Sequence, residues 1–198
     1  MRFVLAALSL AALSACATAT GPDAFTRFDR FESETRDFRR FDRVHIAPVG
    51  VSEEIEARLD LRGPISPTAR ERALGQRDID RNTAALRDAL RQEFSGVAEI
   101  ADAPGPGVLT VAVTLTQLGA NRPTMAEMRQ NPALRFDSIS IGNAAVRGEL
   151  REGDAVLATF EDDLMRAQIN DPAIGAGMWT EADRYYRQLA DKLASLLK

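Results

Sequence analysis

Hydrophobic and polar residues alternate most cleanly over residues 108–118. Leu109, Val111, Val113 and Leu115 fall on one side, and Thr110, Ala112, Thr114 and Thr116 on the other. A period of two sends successive side chains to opposite faces of a strand. One face is apolar and the other half-polar, which predicts a sheet covered on one side only. Two further stretches carry the helical period. Ile79, Thr83, Leu86, Leu90 and Phe94 recur at steps of three and four, and so do Ala182, Tyr186, Leu189, Leu193 and Leu196. These stripes predict amphipathic helices over 78–94 and from Thr180 onward. Gly96 is placed to stop the first, and Thr180 with Asp183 makes a capping-box-like start for the second.

The weaker patterns fill in the order. Val44 to Val51 predicts a strand, with Pro48 at its end or on an edge. Val97 to Ile100 predicts a short strand, followed by the tight turn Pro104-Gly105-Pro106-Gly107. Residues 138–151 and 155–166 predict a hairpin joined at Glu152-Gly153-Asp154. Ser66-Pro67 predicts the cap and first turn of a short helix. A helical turn is expected around residues 125–128, and a Gly/Pro-rich loop over 170–177. The expected class is α+β: a two-layer α/β sandwich whose mixed, mainly antiparallel sheet has about five strands, with helices packed on one face.

The N-terminus changes the picture. Met1-Arg2 supplies positive charge, and residues 3–13 form an apolar run interrupted only by Ser9. That run suits a signal peptide and falls short of the roughly 20 residues a spanning helix needs. It ends in Leu13-Ser14-Ala15-Cys16, the pattern of a lipobox. Residues 1–15 are therefore expected to be cleaved, and Cys16 to carry a diacylglyceryl group with a further acyl chain, such as palmitate, on its new amino terminus. Cys16 is the single cysteine of the chain, and acylation accounts for a lone thiol in an oxidising compartment. Two or more acyl chains give stable anchoring where one gives marginal binding. Ala17 follows where an aspartate commonly signals inner-membrane retention, so the expected location is the outer membrane, facing the periplasm. Residues 16–40 are expected to form the lipidated tether and 41–198 a single periplasmic domain. Within the tether, Phe25, Phe28, Phe31, Phe38 and Phe41 alternate with arginines. Acidic neighbours nearly cancel that charge, which favours docking of the rings on the domain over a basic strip on the membrane.

Composition narrows the chemistry. The formal charge is −4, a poor match to nucleic acid, whose phosphates call for clustered Lys and Arg. One histidine, His45, and no thiol beyond Cys16 leave neither a Cys/His zinc set nor a Cys-His nucleophile pair. No Walker A loop and no Gly-x-Ser-x-Gly elbow occurs. The remaining candidates are carboxylates, Glu53-Glu54-x-Glu56 and Glu161-Asp162-Asp163. Adjacent acids on a strand face opposite ways, so Asp162 and Asp163 do not share a site. No catalytic residue, metal or dissociable cofactor is expected. Trp179 and Tyr185, with Tyr186, are candidates for an interaction surface near the last helix. The favoured function is a non-enzymatic envelope module that touches another envelope protein or peptidoglycan. The alternatives are a carboxylate-dependent cell-wall glycan hydrolase and a small-ligand or lipid carrier.

The segment Phe41-Asp42-Arg43-Val44-His45-Ile46-Ala47-Pro48-Val49 resembles the first strand of a proteobacterial lipoprotein family known only as a domain of unknown function. Pro104 to Leu109 running into Val111-Ala112-Val113-Thr114 is similar to that family's strongest segment. Gly148-Glu149-Leu150-Arg151, Leu157-Ala158 and a terminal helix opened by Trp179 follow in the same order. The resemblance implies an envelope lipoprotein and transfers no catalytic residue.

Overall fold

The computed structural model describes residues 24–35, 37–59, 75–119, 143–164 and 179–198. The leader, Cys16, Ser66-Pro67 and the expected features at 125–128 and 170–177 lie outside the described residues. Among the described residues seven strands form one sheet: β1 (Arg30–Ser33), β2 (Arg43–Ile46), β3 (Gly50–Val51), β4 (Glu99–Ile100), β5 (Val108–Gly119), β6 (Asn143–Glu152) and β7 (Ala155–Asp163). Their order is β1-β7-β6-β5-β2-β4, with β3 also on β5. The long pairs β5–β6 and β6–β7, and the short pair β1–β7, are antiparallel; β2 and β3 run parallel to β5, and β4 parallel to β2. Three α-helices accompany the sheet among the described residues: α1 (Glu53–Leu59), α2 (Gln76–Ser95) and α3 (Thr180–Ala194).

The α+β class and the mixed sheet with helices on one face are as the pattern predicts. The strand count among the described residues is seven, against about five expected, for two reasons. The predicted strand 44–51 is two strands, because the chain leaves the ladder around Pro48 and rejoins β5 at Gly50. The second addition is β1, which pairs with β7 from Arg30↔Glu161 to Ser33↔Ala158.

The fold therefore begins ahead of residue 41. A 3-10 turn at Ala24–Arg27 leads into β1. Phe28, Phe38 and Phe41 are buried, and Phe25 and Phe31 pack against the core. Phe28 lies 5.6 Å from Phe160 and 5.2 Å from Phe31, centroid to centroid. Arg27, Arg30, Arg39, Arg40 and Arg43 stay exposed. Burying a phenylalanine is worth about 1.5–3 kcal/mol, so the ring positions decide where this segment lies.

Helix α2 buries Ile79, Leu86, Leu90 and Phe94, and α3 buries Ala182, Tyr186, Leu189 and Leu193. Both stripes join one apolar core with Leu109, Val111, Val113 and Leu115 of β5. The start of α3 differs from expectation. Trp179 is the N-cap and makes no side-chain cap bond. Asp183 is drawn instead into an ion pair with Arg81 of α2, whose Nη1 is 2.7 Å from its Oδ1. The β6–β7 hairpin closes through Gly153 at φ 57°, the first position of a two-residue turn, where a side chain would be strained.

Candidate functional site

The face of the sheet away from α2 and α3 carries the outward positions of four strands. Register aligns Ala112, Glu149, Thr159 and Glu32 in one row, and Thr114, Arg147, Glu161 and Arg30 in the next. The small residues Ala112, Thr114, Gly148 and Thr159 make a low floor, and the charged side chains stand around it. The result is a shallow open trough of about 590 Å³. A second depression of about 500 Å³ lies beside it, lined by Glu54, Ile55, Thr116, Gln117 and Asn143, with Arg147 shared between the two.

Charge alternates across this surface. Arg30 Nη2 is 2.7 Å from Glu32 Oε1, and Arg151 Nε is 3.6 Å from Glu149 Oε2. The hydrogen bond to Glu32 raises the Arg30 guanidinium above its ordinary value. A hydrogen bond from Ser52 holds the Glu54 carboxyl below its ordinary value, helped by its own amide and by Arg147. Such a surface offers threonine hydroxyls, guanidinium donors and carboxylate acceptors to an extended polar chain. Among the described residues no three His, Cys, Asp or Glu side chains converge on a cation position.

The sequence candidates are distributed differently. Trp179 is 8% exposed and Tyr185 1%. Neither forms an interaction surface; their rings fill the core. The Tyr185 hydroxyl donates to the Asp162 carbonyl at 2.8 Å, and that of Tyr186 to Asn82 Oδ1 at 3.1 Å. Burial pushes both phenols well above their ordinary range. His45 Nδ1–H donates to the Ala101 carbonyl at 3.1 Å, tying β2 to the chain beyond β4. Glu53, Glu54 and Glu56 lie exposed on α1.

The acidic run on β7 divides as strand geometry requires. Glu161 faces the trough, and Asp162 points inward, 4% exposed. Lys192 of α3 reaches both Asp162 oxygens, at 2.8 and 2.9 Å. Desolvation nonetheless lifts the Asp162 carboxyl above its ordinary value, outweighing the lysine. Sequence reasoning missed the trough. Its signal was the outward set of the predicted hairpin, Arg147, Glu149, Thr159 and Glu161, once the turn at Gly153 fixes the register.

Taken together these elements define a mixed α/β fold with a polar sheet face that α2 and α3 leave open among the described residues. The family described as "protein of unknown function (DUF3313)" matches residues 18–158, and the chain belongs to that family. No curated protein matches the chain. Among solved structures, the PelC dodecamer from Paraburkholderia phytofirmans is similar at 12% identity and a TM-score of 0.40, over 83% of this chain and 95% of that one.

Proposed function

We propose that this protein is a lipoprotein of the proteobacterial envelope, held to the outer membrane through acylated Cys16, and that it acts as a non-enzymatic interaction module in the periplasm. The anchor rests on Leu13-Ser14-Ala15-Cys16 behind an apolar run of export length. No helix among the described residues is long and apolar enough to cross a membrane. The observation that carries the module reading is the trough: helices cover one face of the sheet, and the other presents ordered, alternating charge. Its partner is an envelope protein or peptidoglycan.

Two experiments test this. Mass spectrometry of the mature N-terminus should find Cys16 acylated, and Cys16→Ala should leave an unprocessed or lipid-free chain; a bare thiol behind an intact leader would end the anchor reading. A photo-crosslinking residue at Thr159 should capture a discrete partner from envelope fractions, while one at Arg91 on α2 should not. Capture of bulk lipoproteins from both positions would count against the module.

The trough does place Glu32, Glu149 and Glu161 on one face. Glu32 and Glu149 are solvated and set against arginines, whereas a general acid relies on burial to stay protonated. Nothing among the described residues favours the hydrolase. The described depressions are open to solvent, and they do not favour a carrier either.

A further inference from the structure

Residues 24–35 form a strap. Its four-residue strand β1 is the last in the sheet and pairs only with β7, and one further backbone bond follows, from the Glu34 amide to the Leu157 carbonyl. Under the strap lies the Asp162–Lys192 pair. Phe28 covers it, its ring centroid 5.7 Å from Lys192 Nζ, and the Asp29 amide donates to the Asp162 carboxylate. The closed strap therefore takes two charges out of water. It also brings a third, the Asp29 carboxylate, near Asp162, where like charges repel. The charged groups facing Asp162 are thus Lys192 from α3 and Asp29 from the strap; the Tyr185 phenol is neutral, and Asp163 lies on β7 itself. Aromatic packing of Phe25, Phe28 and Phe31 closes the strap; the pair beneath regains hydration when it opens. A buried ion pair often holds its neighbours less firmly than apolar side chains of the same volume.

We propose that the strap is a detachable part of the tether, which peels from β7 while the rest of the fold stays intact. Phe38 and Phe41 remain as the next buried anchors. This rests on the lipid-anchor reading for its consequence. With the strap closed, seven residues lie between Cys16 and Ala24, and the eight peptide steps reach about 28 Å when extended. With the strap open, the fixed point moves to Phe38 and the reach becomes about 75 Å. The trough then stands much further from the membrane.

Hydrogen exchange on the full chain tests the detachment without requiring acylation. The β1 amides and the Glu34 amide should exchange at least tenfold faster than those of β5 and β6, with little dependence on low urea. Phe28→Ala should speed strap exchange further and leave β5 and β6 unchanged. Strap amides that exchange only at the rate and urea slope of β5 and β6 would overturn the proposal, and so would a Phe28→Ala variant whose strap exchanges no faster. Should Cys16 prove unacylated, the reach argument falls and the exchange result stands by itself.

Discussion

The Phe160 ring lies across the backbone of Gly148. The two are register partners on β7 and β6, and a Cβ at position 148 would stand 2.6 Å from Phe160 Cε1 and 2.7 Å from the Ala112 carbonyl oxygen. Glycine is required here for space, because neighbours on both sides, one of them backbone, already fill the site. Through Phe160 this contact also seats Phe28, and so the strap.

Gly148→Ala should therefore destabilise the fold by about 2 kcal/mol, the usual penalty for overfilling a packed interior. Urea denaturation should show a lower midpoint at an unchanged slope. An unaltered midpoint would mean that Phe160 swings aside at no cost.

Lys192→Met alone strands Asp162 as a buried, unpaired carboxylate. The expected loss at pH 7 is about 3–5 kcal/mol. Its pH dependence has a definite sign. The folded-state pKa of Asp162 lies above the ordinary 3.8, so the stability linked to its proton is full below that value and is lost as pH rises through the folded pKa. Removing the lysine raises the folded pKa further. The deficit of the variant should be largest at pH 7 and shrink toward pH 4, as measured by urea titrations across that range.

Tyr186, Asn82 and Asp78 form a buried polar chain between the two long helices. The tyrosine donates to Asn82 Oδ1, and Asn82 Nδ2 donates to the Asp78 carbonyl at 2.7 Å. Tyr186→Phe should cost about 1–2 kcal/mol. A double-mutant cycle with Asn82→Ala should return a coupling of about 1 kcal/mol; a coupling near zero would assign the cost to packing alone.

Arg147→Glu and Thr159→Arg change the trough while leaving the core alone. Each should alter stability by no more than about 0.5 kcal/mol, yet reduce partner capture at Thr159 or its neighbours several-fold. Loss of capture by an equally exposed substitution on α2, such as Arg91→Glu, would show that the trough is not the surface used.

The legible parts of this fold are those whose period sits in one segment. The stripes of α2 and α3 and the alternation of β5 are local, and the structure places them as read. Strand β1 was not legible, because Arg30-Phe31-Glu32-Ser33 has one apolar residue; its conformation comes from the free edge of β7. Helix α1 escaped for a similar reason, with Ile55 buried amid exposed glutamates. Trp179 and Tyr185 were misplaced because the buried face of α3 is wider than a single stripe, taking in Tyr185 beside Tyr186. The trough belongs to no segment. It exists through the register of four strands, and only its β6–β7 half could be worked out from the hairpin turn.

The sheet ends in two stubs, four residues of β1 at one side and two of β4 at the other. Arg30 and Glu32 on the first and Glu99 on the second put charge at both ends. A neighbouring copy meeting either end finds too few free amides and carbonyls to continue the ladder. While β1 stays on β7, molecules crowded side by side would thus meet no long bare edge among the described residues.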